Sequence, residues 1–180
     1  MSRLAISARA DAPAAAQPLL DAVERQLGVV PNLFRLLANS PAALEGFLSL
    51  SGALSRTLDA KTREGIALAT AQVNGCDYCL SAHSYLGTHV AKLDAAEIAA
   101  NRRGRSADPR TGAALAFARE VAQQRGVVSD QALAAVREAG YADAQIVEIV
   151  AHVALNVLTN FLNNTAATDI DFPVVHAEAA

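Results

Sequence analysis

The chain has 180 residues, of which 52% are hydrophobic and only 4% aromatic, and its formal net charge is −3 at pH 7. This length suits one domain that can bury a substantial core. The weak negative charge gives no basic footprint for nucleic acid, and no uninterrupted apolar run approaches the ~20 residues that cross a bilayer. We therefore expect neither nucleic acid nor a membrane as a partner.

The amino-terminal residues 1–18 lack the apolar stretch of a secretory signal, so the expected compartment is the cytoplasm. Thiols are kept reduced there. The chain has two cysteines, and in that compartment a close pair is more typical of catalysis or metal binding than of a structural disulfide.

Glycines, prolines and capping residues divide the chain into helical segments with hardly any strand, which predicts an all-α fold. The abundant alanine favours closely packed helices. In chain order the predicted helical segments are 17–28, 30–40, 41–57, 59–73, 77–93, 94–104, 108–126, 130–140 and 143–164. Segment 143–164 is apolar almost all round and should be buried on several sides, in the core or at a subunit interface. The tail 169–180 should be irregular.

We expect a single domain over residues 1–180, with the chemistry in a helical hairpin at about 59–90. A faint repeat accompanies this hairpin, since "DAKTRE" at 59–64 resembles "DAQIVE" at 143–148. It suggests a possible degenerate second copy at about 143–165. In that register Cys76 falls opposite Asn160, and Cys79 falls opposite Asn163.

Both cysteines lie in the stretch "VNGCDYCLSAHSYLG", residues 73–87, in the pattern C-x2-C-x3-H. Asn74 and Gly75 end one helix, so Cys76 and Cys79 fall in the first turn of the next. Unpaired amides and the helix dipole stabilise a thiolate at that position. His83 lies one turn beyond Cys79 on the same face, close enough to exchange a proton.

Glu64 is the carboxylate expected beside this centre. It lies about ten residues before the turn and His83 about eight after it, so at ~1.5 Å rise per residue the two come roughly level in a hairpin. The sequence that follows, "GIALATAQV", carries no charge, which places the Glu64 carboxylate next to buried surface. A carboxylate, an imidazole and a helix-start thiol together form a plausible proton relay.

Two other interpretations of the cysteine pair stay open. Two buried free thiols need no function. A metal site would use Cys76, Cys79 and His83, with His89 or Glu64 as a fourth ligand. Structural zinc sites usually add a second ligand pair well downstream, and the chain has no further cysteine, so we expect no metal.

The pattern E-x11-C-D-Y-C-L-S-A-H, over residues 64–83, resembles the AhpD-like alkylhydroperoxidase branch of the carboxymuconolactone decarboxylase superfamily. The all-helical character extends the resemblance to about residues 20–173. It implies an all-α, AhpD-like helical bundle that acts as a thiol-dependent peroxidase or disulfide oxidoreductase. It also implies a homotrimer or homohexamer and no metal, flavin or haem cofactor.

The resemblance also implies roles for four residues. Cys79 would attack a peroxide, Cys76 would resolve the sulfenic acid as a disulfide, and Glu64 and His83 would relay protons. A dithiol, such as a dihydrolipoamide-type donor, would then reduce the disulfide. The best-known members have a histidine directly before the second cysteine, where this chain has Tyr78.

Two further functions remain as alternatives. One is a non-redox acid–base enzyme of the carboxymuconolactone decarboxylase type, which would use Glu64 and His83, and the other is a non-catalytic helical oligomer. Residues outside the motif give weaker indications of function. His152 suits a core or interface position, and Tyr85 and Phe47 suit either packing or a substrate pocket.

Overall fold

The computed structural model describes residues 2–178, so Met1 and residues 179–180 of the predicted single domain lie outside the described part. Within 2–178 there are nine α-helices, a short 3-10 helix at Arg9–Asp11 and no strand, which confirms the all-α prediction. The helices are α1 Gln17–Leu27, α2 Asn32–Leu37, α3 Pro41–Leu54, α4 Ala60–Val73, α5 Asp77–His89, α6 Ala95–Arg102, α7 Pro109–Gln123, α8 Asp130–Glu138 and α9 Asp143–Ala166.

Side-chain caps begin most of these helices where the sequence predicts them. A cap side chain accepts a hydrogen bond from the backbone N–H three residues later, and each such cap stabilises a helix by about 1 kcal/mol. The five residues that cap in this way, besides Cys76, are Ser40, Asp59, Asp94, Asp108 and Ser129.

All nine helices differ from the predicted bounds by one or more residues, and α5 and α2 are two clear cases. α5 ends at His89 rather than continuing to 93, because Lys92 adopts a left-handed φ of 58°. The N–H of Leu93 then turns back to donate to the carbonyl oxygen of Gly87 at 2.9 Å, which closes the helix end. α2 covers only Asn32–Leu37 of the predicted segment 30–40, and Pro31 is its N-cap.

α4 is the central helix and packs against α5, α6, α7 and α9. Its buried residues are mostly small, as the alanine content predicted, so neighbouring helices approach closely on several sides. Gly65 shows how close α7 comes, because a Cβ at this position would lie 2.8 Å from the methyl carbons of Leu115. The residue before it is Glu64, so this contact helps to fix the helix that carries the predicted carboxylate.

The buried side chains form three clusters. One joins α4, α7, α8 and α9, and a second joins the N-terminal segment to α1, α2 and α3. The third contains Cys76 and Cys79 together with Leu68 of α4, and the tail packs onto it through Ile170 and Phe172. The cysteine pair is therefore part of a packed interior rather than of an exposed loop.

α9 has two unlike faces. The inner face is buried yet partly polar, with His152, Asn156, Asn160 and others against the core. On the outer face Leu158 is 49% exposed, and Phe161 is 57% exposed. The mixture is consistent with the predicted burial on several sides, with part of the apolar surface left uncovered.

By length and composition α9 is long and apolar enough to cross a membrane, which the absence of an uninterrupted apolar run did not indicate. Buried core helices of water-soluble proteins meet the same criterion.

The segment 143–165 lies within this one helix, whereas 59–90 forms two helices and a turn. The suggested duplication stays a prediction.

Candidate active site

The turn between α4 and α5 positions both cysteines. Asn74 ends α4, Gly75 adopts a left-handed φ of 59°, and Cys76 follows as the N-cap of α5. The Sγ of Cys76 accepts a hydrogen bond from the backbone N–H of Cys79 at 3.4 Å. Both cysteines are buried free thiols. The pair thus lies at a helix start, where backbone amides and the helix dipole favour an anion.

Glu64 and His83 meet across this hairpin. The Oε2 of Glu64 lies 2.8 Å from the Nδ1 of His83, although one residue is on α4 and the other on α5. Their side chains are 19% and 24% exposed, so the pair reaches solvent while the sulfur of Cys79 is covered. Because Nδ1 is engaged by the carboxylate, Nε2 is the nitrogen that can exchange a proton with another group.

The pKa values of the two thiols are shifted in opposite directions. The hydrogen bond from Cys76 lowers the pKa of Cys79 to about 6, against burial, with further lowering by the charge of His83 and by the amides of Asn163 and Asn160. The same thiol–thiol hydrogen bond, followed by burial, raises the pKa of Cys76. The helix start therefore yields one thiolate, on Cys79, and keeps the proton on Cys76.

The pKa of His83 is raised above its ordinary value. Burial alone would lower the pKa of the imidazole, but the charge and hydrogen bond of Glu64, with a smaller contribution from Cys79, raise it. A positive imidazolium between a carboxylate and a thiolate is a group that can deliver a proton to a leaving oxygen.

Tyr78 does not join this proton relay. Its hydroxyl oxygen accepts a hydrogen bond from the backbone N–H of Leu33 at 3.0 Å, and its ring packs edge-on against Phe172. Burial raises the pKa of the phenol. The residue that replaces the histidine expected from the resemblance thus joins α5 to α2 and the tail.

α9 supplies side chains to the site that the sequence did not indicate as functional. The Nδ2 of Asn163 donates to the Sγ of Cys79 at 3.3 Å, and the hydroxyl of Thr159 lies 3.9 Å from the same sulfur. The only sequence signal was the faint repeat, whose register set Asn163 opposite Cys79 and Asn160 opposite Cys76.

The C-terminal tail is irregular, as predicted, but it is bound to the first turns of α5. His176 Nδ1 lies 2.7 Å from Asp77 Oδ2, and the N–H of Val175 donates to the hydroxyl of Ser81 at 2.9 Å. Arg102 adds a hydrogen bond to the carbonyl oxygen of His176 at 2.7 Å. The tail thereby covers the helix start that holds the thiols, an arrangement for which His176 gave no signal in the sequence.

The remaining candidates are packing residues. Tyr85 stacks against His89 and Phe172, and Phe47 packs against Phe34. His152 is buried, and burial, followed by the charge of Arg63, lowers its pKa. Within residues 2–178 no group of three or more His, Cys, Asp or Glu side chains is arranged to hold a metal ion.

The fold and site define an all-helical protein with a Cys-x-x-Cys pair at a helix start, next to a Glu–His pair. Residues 41–124 match the model of the carboxymuconolactone decarboxylase family. A search of curated protein sequences gave no match.

Solved structures of similar fold agree with the family match. An uncharacterized peroxidase-related protein with an AhpD core from Ralstonia eutropha JMP134 is 28% identical, with a TM-score of 0.83 over 94% of this chain and 92% of that one. A peroxidase-related protein from Silicibacter sp. TM1040 is 23% identical, with a TM-score of 0.79 over 92% and 88%. The debrominase Bmp8, in complex with 2,3,4-tribromopyrrole, is 22% identical, with a TM-score of 0.76 over 92% and 89%.

Residues 41–124 thus match the carboxymuconolactone decarboxylase family, and the chain as a whole is similar in fold to an AhpD-core, peroxidase-related protein. This similarity supports an enzyme with a peroxidase-related or decarboxylase-type function.

Proposed function

We propose that this protein is a thiol-dependent peroxidase, or a closely related disulfide oxidoreductase, that reduces hydroperoxides through Cys79 and Cys76. The observation that carries the proposal is the contact between Glu64 and His83, 2.8 Å apart, beside a thiol whose pKa is lowered and a second thiol that can resolve it. Each of the four residues then has one chemical task.

In the first step the thiolate of Cys79 attacks the terminal oxygen of the hydroperoxide. An S–O bond forms, the O–O bond breaks, and the imidazolium of His83 gives its proton to the leaving alkoxide. The products are an alcohol and the sulfenic acid of Cys79. Glu64 orients the imidazole of His83 and stabilises its positive charge before the transfer.

In the second step Cys76 condenses with the sulfenic acid. Oxidation of Cys79 removes the negative charge that keeps the proton on Cys76, so the thiol of Cys76 becomes easier to deprotonate. An S–S bond forms, and the hydroxyl of the sulfenic acid leaves with a proton as water. An external dithiol then reduces the disulfide, and its two thiols supply the electrons and protons.

For the partners we propose a dithiol reductant, of which a dihydrolipoamide-type donor is one candidate, and a cytoplasmic location where such dithiols stay reduced. Neither nucleic acid nor a membrane is part of the proposal, and the four residues work without metal, flavin or haem. A panel of dithiol donors, tested with one peroxide, would identify the reductant by the highest turnover.

We further propose a homo-oligomer, a trimer or a hexamer, held through the outer face of α9. Val147 is 67% exposed and Phe161 is 57% exposed on that face, and an uncovered apolar helix face is typical of an interface. Light scattering on Phe161→Glu should give a smaller species than wild type, with Glu138→Gln, on exposed α8, as a control. A monomeric wild type would contradict the proposal.

An acid–base reaction of the carboxymuconolactone decarboxylase type is the second candidate, because Glu64 and His83 form a proton-transfer pair without help from the thiols. Cys79→Ser separates the two. The redox proposal predicts loss of peroxide-dependent dithiol oxidation, whereas the acid–base candidate predicts an unchanged activity on a lactone acid. A non-catalytic oligomer would show neither activity.

Mass spectrometry of the wild-type protein gives the most direct test of the redox proposal. Treatment with a stoichiometric amount of hydroperoxide should convert the two free thiols into a Cys76–Cys79 disulfide, and a dithiol should reverse it. If the two thiols stay reduced while the peroxide remains unconsumed, the peroxidase function is wrong.

A further inference from the structure

The sulfur of Cys79 faces a strip of polar side chains on α9. The Nδ2 of Asn163 donates to it at 3.3 Å, and Thr159 and Asn160 lie in the same buried face. These residues lie 80 or more positions downstream of Cys79, and none belongs to the Cys-x-x-Cys motif. Two of the three carry amide groups, which are strong hydrogen-bond donors without a charge of their own.

The orientation of Asn160 is fixed by the turn that precedes the cysteines. Its Oδ1 accepts a hydrogen bond from the Nδ2 of Asn74 at 2.9 Å, and the carbonyl oxygen of Asn74 accepts one from Asn164 at 2.9 Å. Because the oxygen of the Asn160 amide is held by Asn74, the nitrogen of the same amide points away from Asn74. The turn that places Cys76 therefore also sets the direction of a donor on α9.

The amide nitrogen of Asn160 is buried and donates no hydrogen bond of normal geometry to any residue in 2–178. An unsatisfied buried donor is energetically unfavourable, and the oxygen of a bound ligand would relieve that cost. Asn160 itself has no exposed surface. It lies on α9 between Thr159 and Asn163, whose side chains are 3.9 Å and 3.3 Å from the sulfur of Cys79, and its amide contributes to the lowered pKa of that thiol.

We propose that Asn163 and Asn160 form a two-amide hole for the anion at Cys79, in which Asn163 holds the sulfur and Asn160 donates to the peroxide oxygen that bonds to it. This inference rests on the proposed peroxidase function for its oxygen half. Its sulfur half concerns the resting thiolate and holds for any chemistry of Cys79. Asn74 is a positioning residue that acts through Asn160.

The two amides have separate tasks in the first step of the reaction. As the S–O bond forms and the O–O bond breaks, negative charge moves from the sulfur onto the oxygens, and His83 protonates the departing one. Asn163 stabilises the charge where it starts. Asn160 orients the oxygen that stays with sulfur, so its donor gains a partner with normal hydrogen-bond geometry when a peroxide is bound.

The experiment compares a peroxide with an alkylating agent, because iodoacetamide reacts with the same thiolate but transfers no oxygen to it. Asn163→Ala should move the thiolate absorbance titration of Cys79 upward by about one pH unit, a tenfold change in acidity. Asn160→Ala should lower the rate with hydrogen peroxide roughly tenfold to a hundredfold while the alkylation rate per thiolate stays within twofold.

Asn156→Ala is the matched control. Asn156 lies one turn earlier in the buried face of α9, and its amide donates to the backbone oxygen of His152 at 2.8 Å rather than to sulfur. It should leave both the titration and the ratio of the two rates unchanged. Asn74→Ala should lower the peroxide rate relative to the alkylation rate, as Asn160→Ala does, because the amide of Asn160 loses its orientation.

Each half can fail separately. A thiol titration that stays in place in Asn163→Ala overturns the sulfur half, and an equal loss of alkylation and peroxide rates in Asn160→Ala overturns the oxygen half. If the wild type reduces no peroxide but Asn163→Ala still shifts the titration, the peroxidase function and the oxygen half are wrong and the sulfur half holds. Where an alanine variant does not fold, Asn163→Asp has the same size, and its carboxylate should shift the titration further upward.

Discussion

The carboxylate of Glu64 lies 2.8 Å from the imidazole of His83, across the turn that joins α4 to α5. This pair determines the charge state of the site. Glu64 raises the pKa of His83, and the charge of His83 in turn lowers the pKa of Cys79. The chemistry of the cysteine pair should therefore respond to a residue that touches neither sulfur.

Glu64→Gln should lower the peroxide-dependent rate about tenfold to a hundredfold, because His83 loses the carboxylate that raises its pKa. Glu138→Gln, a change on the exposed side of α8, is the control and should leave the peroxide-dependent rate unchanged. Rates measured under pseudo-first-order conditions at pH 7 test this. An unchanged rate in Glu64→Gln would mean that the Glu–His pair has no part in the reaction.

The same substitution should change how stability depends on pH. The pKa of His83 is raised on folding, so its pairing with Glu64 contributes fully below the ordinary value of 6.5 and is lost as pH rises through the folded value. We expect Glu64→Gln to be less stable than wild type by on the order of 1 kcal/mol near pH 6, with a smaller gap near pH 9. Urea unfolding at both pH values measures this, and a gap that grows with pH would contradict the assignment.

The acidity of the two thiols should differ sharply. Alkylation of Cys79 should follow a titration with a midpoint near pH 6, falling about tenfold per pH unit below it, while Cys76 stays unreactive to a much higher pH. Cys76→Ala removes the largest stabilising hydrogen bond and should move the midpoint upward. Peptide mapping after timed alkylation distinguishes the two sites, and a midpoint near 9 in the wild type would show that Cys79 is an ordinary thiol.

Tyr78→Phe should affect stability but not the thiol titration. The hydroxyl of Tyr78 accepts a hydrogen bond from the N–H of Leu33 at 3.0 Å, so its removal should cost about 1 kcal/mol. The titration of Cys79 should remain within a few tenths of a pH unit. Tyr85→Phe, at a residue that is 42% exposed, is the control for the loss of a phenol. A clear shift of the titration in Tyr78→Phe would instead give Tyr78 a part in the relay.

Gly65→Ala should destabilise the fold by about 1–3 kcal/mol, since the added Cβ would lie 2.8 Å from the methyl carbons of Leu115. Gly52→Ala provides the matched test on α3, where an added Cβ meets nothing within 4 Å. That variant should be unchanged or more stable by about 0.5–1 kcal/mol. Thermal unfolding of both variants gives the comparison, and equal behaviour would show that α4 and α7 do not depend on this close approach.

Much of the hairpin was predictable because its signals are local. Asp59 begins the helix that becomes α4, Asn74 and Gly75 end it, and the distances along two helices from one turn bring Glu64 level with His83. Helix rise and capping are properties of short stretches of chain. For the same reason the all-α class and most helix starts followed from the sequence.

The end of α5 and the acidity of Cys76 were not predictable in this way. The helix stops at His89 because Lys92 takes a left-handed conformation that no glycine signals. Cys76 shares the helix start with Cys79, yet its pKa is raised, because its proton serves the neighbouring sulfur. The position at a helix start predicts a lowered pKa for both thiols. Which thiol keeps its proton depends instead on the hydrogen bond between them.

The sequence by itself determined the hairpin, the place of its cysteine pair and the fact that Glu64 and His83 lie opposite each other. The position of the turn and the rise per residue of a helix suffice for these. Only the tertiary structure decided that Asn160 and Asn163 face the thiols, that Tyr78 binds the backbone of Leu33, and that His176 brings the tail to Asp77. These contacts join segments 45 to 99 residues apart. Their partners are selected by how whole helices pack, which no local pattern encodes.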